Sequence, residues 1–219
     1  MLPALAAATA LTLGGCASAP GTQPTSTADA AQSPASGECA YPASSRPASV
    51  PVTPPYADPD VSGEILATIA TSAGDLKVTL DADAAPCTVN SFLSLAGQAY
   101  FDSTSCHRLT TSGIFVLQCG DPTATGTGGP GYSFADELTG SETYPAGTLA
   151  MANAGPDTNG SQFFIVYADT SLAPDYTVFG HLDGASTAIV ADVAAEGTAS
   201  GAPDGAPRTP VTIISVTED

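Results

Sequence analysis

Met151-Ala152-Asn153-Ala154-Gly155-Pro156-Asp157-Thr158-Asn159-Gly160-Ser161-Gln162-Phe163-Phe164 sets a turn between two apolar segments. Gly, Pro, Asn and Asp supply the turn, because they tolerate or pre-set the backbone angles that a reversal needs. An amide side chain and two adjacent aromatics close the stretch. Upstream, His107-Arg108 precedes Phe115-Val116-Leu117-Gln118-Cys119-Gly120-Asp121-Pro122, another apolar run ending in turn residues.

Working outward, Glu64–Ala70 and Leu76–Leu80 read as strands joined by Ser72-Ala73-Gly74-Asp75. Pro86 opens a helix in which Val89, Phe92, Leu93 and Ala96 share one face, and Gly97 ends it. Short strands are expected near Thr104–Leu109, Ile114–Cys119, Thr148–Ala152, Phe163–Val166 and Val178–Leu182. A second helix is expected over Ser186–Glu196 with Gly197 beyond it, and a last strand over Pro210–Thr217. Many short strands with Gly/Pro turns and only two helices predict a mainly β fold, a closed barrel.

The two motifs together resemble the signature of the cyclophilin family of peptidyl-prolyl isomerases, in the same order and at nearly the same spacing from about Gly63 to Val216. The resemblance implies a closed eight-stranded antiparallel barrel capped by two α-helices. It implies an enzyme that isomerises X-Pro bonds, with Arg108, Gln162 and Phe115 as catalytic residues. Val116, Phe164 and Leu172 would join Phe115 around the proline ring. Gln118 would hold Arg108. Asn153, through its backbone, would bind substrate main chain with Gln162. Ala152 and Tyr176 would complete the substrate groove. Several positions depart from well-known members: Leu172 stands where many have Trp, Val116 replaces a Met, Tyr176 a His and Cys106 a Phe. The stretch between Arg108 and Gln118 is two residues longer. These changes bear on substrate preference more than on the donor. The alternative is a non-catalytic module on the same fold that binds proline-containing segments or acts as a chaperone.

The composition narrows the partners. The chain has 22 acidic and four basic residues in 219, a formal charge of −18. Nucleic acid is excluded as a partner because its phosphates need Lys and Arg. Docking on anionic lipid is disfavoured for the same reason. Proline-containing polypeptides remain the expected partners, with the protein itself a monomer. Of the histidines, only His107 and His181 are present, and no C-x-x-C occurs. No metal and no cofactor are therefore expected.

Leu2–Leu13 is apolar or small and leads to Leu13-Gly14-Gly15-Cys16, which resembles a bacterial lipobox. The run is too short to span a membrane, which takes about 20 residues. Residues 1–15 are thus expected to be a lipoprotein signal and Cys16 the lipidated residue. No Lys or Arg precedes Cys16, unlike the usual basic start of such signals. Residues 16–59, rich in Ala, Ser, Thr and Pro, read as a disordered tether with a span on the order of 35 Å. Residues 60–219 would be the domain, held at the outer side of the cell membrane by lipid alone. Cys39, Cys87, Cys106 and Cys119 can form two disulfides in three ways. The hairpin between residues 106 and 119 favours Cys106–Cys119, and hence Cys39–Cys87 pinning the tether's end to the first helix.

Overall fold

Two antiparallel strands, Glu64–Thr71 (β1) and Gly74–Asp81 (β2), begin a sheet that curls around a single core. The computed structural model describes residues 38–219. The expectations for residues 1–15 and for Cys16 lie outside the described residues. Helix α1 (Pro86–Gly97) follows. Its Pro sits in the first turn, where a missing N–H breaks no helical bond. The next two N–H groups, of Cys87 and Thr88, donate to the Glu137 carboxylate at 2.8 and 2.9 Å. An anion at that end satisfies orphan donors and the helix dipole together.

The remaining strands are β3 (Thr104–Ser105), β4 (Arg108–Thr110), β5 (Val116–Cys119), β6 (Thr148–Met151), β7 (Phe163–Val166), β8 (Val178–Leu182), β9 (Asp204–Gly205) and β10 (Thr212–Glu218). Helix α2 (Gly184–Ala195) lies between β8 and β9. It starts two residues before its expected beginning, because Asp183 caps it by accepting from the Ser186 N–H at 2.7 Å. The sheet order is β3-β10-β1-β2-β8-β6-β7-β5-β4-β9, every pair antiparallel.

Ten strands stand where eight were expected, and the reason is local. β3 and β4 are two halves of one stretch, Thr104–Thr110. The Cys106 N–H still donates to Val211, beside β10, while the His107 N–H donates to Gln118 on β5. The chain changes partner between those two residues, and so links the two sides of the curled sheet. β9 is a two-residue addition beside β4.

Leu80, Leu117, Leu149, Phe163 and Phe179 meet inside, each at most 1% exposed. Phe92 of α1 closes one end, its ring centroid 5.2–5.6 Å from those of Phe101, Phe163 and Phe179. The α2 side chains Val190 and Val193 are buried in the same core.

The boundary expected at residue 59 does not mark where packing begins. Residues 38–58 form an arm that lies along the barrel. Cys39 is buried and bonded to Cys87, and the Tyr41 hydroxyl donates to the Cys87 carbonyl at 2.7 Å. The Tyr41 ring packs edge-on against Tyr132 and Phe134. Composition suggested a tether because the arm has few aliphatic side chains; it is held instead by backbone hydrogen bonds, one Tyr and a disulfide. Both expected cysteine pairs are bonded, Cys39–Cys87 and Cys106–Cys119.

Peptide mapping without reduction should recover Cys39 with Cys87 and Cys106 with Cys119; a Cys87–Cys119 fragment would contradict the fold. In the chain-entropy picture a bond across the 13-residue separation of Cys106 and Cys119 is worth about 3 kcal/mol. The double variant Cys106→Ala/Cys119→Ala should lose about that much unfolding free energy in urea.

Candidate active site

Successive side chains of a strand point to opposite faces. In β5, β6 and β7 both faces are largely buried. Leu117, Leu149, Phe163 and Ile165 enter the barrel core. Val116, Ala150, Phe164 and Val166 point the other way and form a second apolar cluster outside the barrel with Tyr144. Ile114, Ala152, Leu172 and Tyr176 pack around it. The tandem Phe163-Phe164 therefore serves two places at once, one ring inside and one outside.

Above this outer cluster lies a cavity of about 120 Å³. Arg108, Val116, Gln118, Ala152, Asn153, Phe164, Leu172 and Tyr176 line it, six from the two motifs and two, Leu172 and Tyr176, implied by the family resemblance. Ile114 completes the wall. Phe115 does not line it, contrary to expectation. Residues 114, 116 and 118 share the cavity face, and parity sends 115 elsewhere. The Phe115 ring stands half-buried, edge-on to Tyr167 with centroids 6.0 Å apart. Gln162 lies in an adjoining cavity of about 420 Å³, which shares Gln118, Ala152 and Asn153 with the first.

The polar side chains form a directed chain. Arg108 Nη1 donates toward Gln118 Oε1 at 3.4 Å, Gln118 Nε2 donates to Gln162 Oε1 at 2.8 Å, and Gln162 Nε2 donates to the Gly128 carbonyl at 2.9 Å. Each amide accepts with its oxygen and donates with its nitrogen, so the terminal carbonyl sets the orientation of both. Asp121 positions that carbonyl. Its carboxylate is fully buried and accepts from the N–H groups of Thr123, Thr125 and Gly128. Burial works to raise its pKa, but these hydrogen bonds prevail and hold it below the usual range. Gly120, just before it, has φ +84°, and a Cβ there would stand 2.2 Å from the Ser161 carbonyl oxygen. Only glycine lets β5 leave the barrel so close to the turn before β7.

Asp204 is one residue that the sequence did not mark. Arg108 Nε and Nη2 donate to its two carboxylate oxygens at 2.9 and 2.7 Å. This side-on pair turns the guanidinium plane and leaves Nη1 facing Gln118 and the cavity. Arg108 holds the Asp204 carboxyl below its usual range, and Asp204 in turn raises Arg108. The two residues are 96 apart in a Gly/Ala/Pro-rich segment with no motif to mark it. Tyr144 was also missed. Its hydroxyl donates to the Tyr176 carbonyl and accepts from the Tyr176 N–H, both at 3.1 Å, fixing the Tyr176 backbone at the cavity.

His107 precedes Arg108 but takes no part in this chain. Its ring nitrogens are buried without a hydrogen-bond partner among the described residues. Burial, aided by the nearby Arg108 charge, lowers its pKa below the usual histidine value. It is a buried wall beside Arg108. No group of His, Cys, Asp or Glu among the described residues is arranged to hold a metal ion.

Residues 66–218 match the family model described as cyclophilin type peptidyl-prolyl cis-trans isomerase/CLD. The chain belongs to this cyclophilin family. A probable peptidyl-prolyl cis-trans isomerase B of Mycobacterium leprae is 49% identical over 196 residues, covering 83% of this chain and 66% of that protein. Its counterpart in Mycobacterium tuberculosis is 47% identical over 196 residues, covering 83% of this chain and 64% of that one. The chain thus spans about two thirds of the length of these relatives. A crystal structure of a Cryptosporidium parvum cyclophilin type peptidyl-prolyl cis-trans isomerase superposes with a TM-score of 0.62 at 33% identity. It covers 71% of this chain and 98% of that one. The cyclophilin barrel and its two helices are therefore the architecture of this chain.

The pairing of Arg108 with Asp204 can be tested directly. An exposed but bidentate pair is worth about 1 kcal/mol. Asp204→Asn should therefore speed exchange of the Arg108 Nε proton about fivefold, as read by nuclear magnetic resonance near neutral pH. In the wild type the protection should persist as pH falls, because the depressed carboxyl stays ionised, and should fade only once pH has fallen below the usual aspartate range.

Proposed function

We propose that this chain catalyses cis–trans isomerisation of X-Pro bonds in polypeptides. An X-Pro amide resists rotation because its C–N bond has partial double-bond character, with a barrier of about 18–20 kcal/mol. Halfway through the twist the prolyl nitrogen becomes pyramidal and regains a lone pair. A donor aimed at that lone pair stabilises the twisted amide more than either planar form. Only such differential binding accelerates the step.

The observation that carries this reading is the Arg108 guanidinium beside a small cavity with Val116, Phe164 and Leu172 among its walls, two of its nitrogens already committed to Asp204. Val116, Phe164 and Leu172 offer a dry seat for a proline ring. Nη1 has only a long contact to Gln118 and is the group free to meet the prolyl nitrogen. Gln162 and the backbone of Asn153, where the two cavities meet, would hold the flanking peptide. The Tyr176 and Ala152 side chains bound the groove. Phe115, off the cavity, is left a supporting role through Tyr167. A structural relative from Cryptosporidium parvum, 33% identical, was crystallised in the presence of the dipeptide Ala-Pro, in keeping with proline-containing peptides as substrates.

We further propose that the protein works outside the cytoplasmic membrane, anchored through lipid on Cys16. The Leu13-Gly14-Gly15-Cys16 motif supports this, and so do two disulfides in the described domain, since such bonds persist in oxidising compartments. Cys16→Ser should then leave the protein unprocessed or released from the membrane fraction. Unchanged membrane association of that variant would rule the anchor out.

Loss of a transition-state donor costs about 10²–10³ in rate. Arg108→Ala should lower kcat/KM on proline peptides by that order while circular dichroism stays unchanged. Arg108→Lys should rescue little, because a flexible ammonium lacks the planar fork. Peptide binding should fall less than turnover. Activity of Arg108→Ala within about twofold of wild type would contradict the mechanism, and no activity in the wild type would favour a binding module.

A further inference from the structure

The larger cavity has a wall that the barrel does not supply. Ala43, Ser44, Ser45 and Arg46 of the arm line it, opposite Gln118, Ala152, Asn153 and Gln162. These arm residues lie outside residues 66–218, the part of the chain that matches the family model.

The arm is fastened on both sides of this wall. Before it, the Cys39–Cys87 bond and the Tyr41 hydrogen bond tie it to α1. Along it, the Ser133 N–H donates to the Pro42 carbonyl at 3.0 Å, the Ser44 N–H to the Gly131 carbonyl at 2.9 Å, and the Ser49 N–H to the Gly129 carbonyl at 2.9 Å. After it, the Thr53 N–H donates to Gln98 Oε1 at 2.8 Å. At Gly131, φ is +84° and a Cβ would stand 2.8 Å from the Ala48 nitrogen. The arm and this loop approach so closely that a side chain there would push them apart.

Arg46 is held over the cavity by this fastening. Its Nη1 donates to the Thr127 carbonyl at 3.1 Å, and the Ser44 hydroxyl donates to its backbone carbonyl at 2.7 Å. No carboxylate pairs with it among the described residues; Arg208 likewise meets only a backbone carbonyl, while Lys77 faces Asp219 and Arg108 faces Asp204. Among the described residues that line the cavity, Arg46 is the sole charged one. In a chain with 22 acidic and four basic residues, the wall of this groove carries one charge, and it is positive.

We infer that the arm builds a substrate subsite beside the proline cavity, in which Arg46 selects an acidic side chain a few residues from the X-Pro bond. This rests on the isomerase reading of the neighbouring cavity. The guanidinium keeps several donors unused after Thr127 takes one, and its planar fork suits a carboxylate. The diffuse field of a chain at −18 attracts cationic peptides and repels anionic ones. A preference for Glu at one position therefore runs against the general field and marks a local contact.

The test uses the full chain and a series of proline peptides that differ by Glu, Gln or Lys at each of three positions on either side of X-Pro. Turnover and direct binding are both measured at low and high salt. At one position, Glu should exceed Gln about two- to fivefold in kcat/KM and in affinity, the range of an exposed ion pair. The advantage should shrink as salt rises. Arg46→Ala should bring the Glu/Gln ratio to about one at that position, and Arg46→Glu should invert it in favour of Lys. The ratio cancels any general loss in the variants. An equal response to Glu and Gln at every position, or a Glu preference that survives Arg46→Ala, would overturn the subsite. If no peptide is turned over while the binding ratios behave as stated, the isomerase reading fails and the subsite stands.

Discussion

A side chain in a strand can face only two ways, and in β5, β6 and β7 both ways are buried. The inward residues complete the barrel core, and the outward ones build the floor of a cavity on its surface. This double burial ties the site to the fold. Val116 and Phe164 sit on backbone that Leu117, Phe163 and Ile165 hold rigid from the other side. A large-to-small change at Phe163 would cost core packing and move Phe164 with it. The cavity needs no dedicated scaffold because the barrel wall is one.

Polar order is laid over this apolar frame by a short relay. Arg108, Gln118 and Gln162 come from three strands or their ends, and the relay finishes on a backbone carbonyl of a loop that Asp121 organises from within. Because every member has one way to satisfy its partners, the guanidinium is aimed before any ligand arrives. Asp204 holds its other edge. A preorganised donor loses little on meeting a twisting amide, which is where catalytic gain lies. His107, buried beside it, adds bulk, and burial disfavours its charged form.

The arm follows a different logic. It has too little apolar surface to dock by burial alone, and composition placed it with the tether for that reason. Tyr41 supplies its one large contact, backbone pairing to residues 129–133 supplies direction, and the Cys39–Cys87 bond lowers the entropy of the undocked chain. The result extends the groove beyond the barrel and puts a cation on a wall that otherwise carries no charge.

Local sequence was enough for most of the elements. Turn residues and alternation located every strand but β9 within a residue or two, Pro86 and the Phe92 face located α1, and the two motifs named the family and six of the nine residues that line the small cavity, the resemblance adding Leu172 and Tyr176. Spacing alone could also suggest the cysteine partners, since a hairpin brings its own strands together. Tertiary structure decided the rest. Phe115 lost its place to Ile114, because parity along β5 is set by pairing with β7 and not by the motif. The strand Thr104–Thr110 split in two, because its halves have different neighbours. Asp204 reached Arg108 across 96 residues, and the arm reached the loop at Gly131 across more than 80. Contacts at such distances leave no local periodicity, since each partner's own segment is shaped by turns and small residues. They exist only once the curled sheet has brought its edges and its arm into one place.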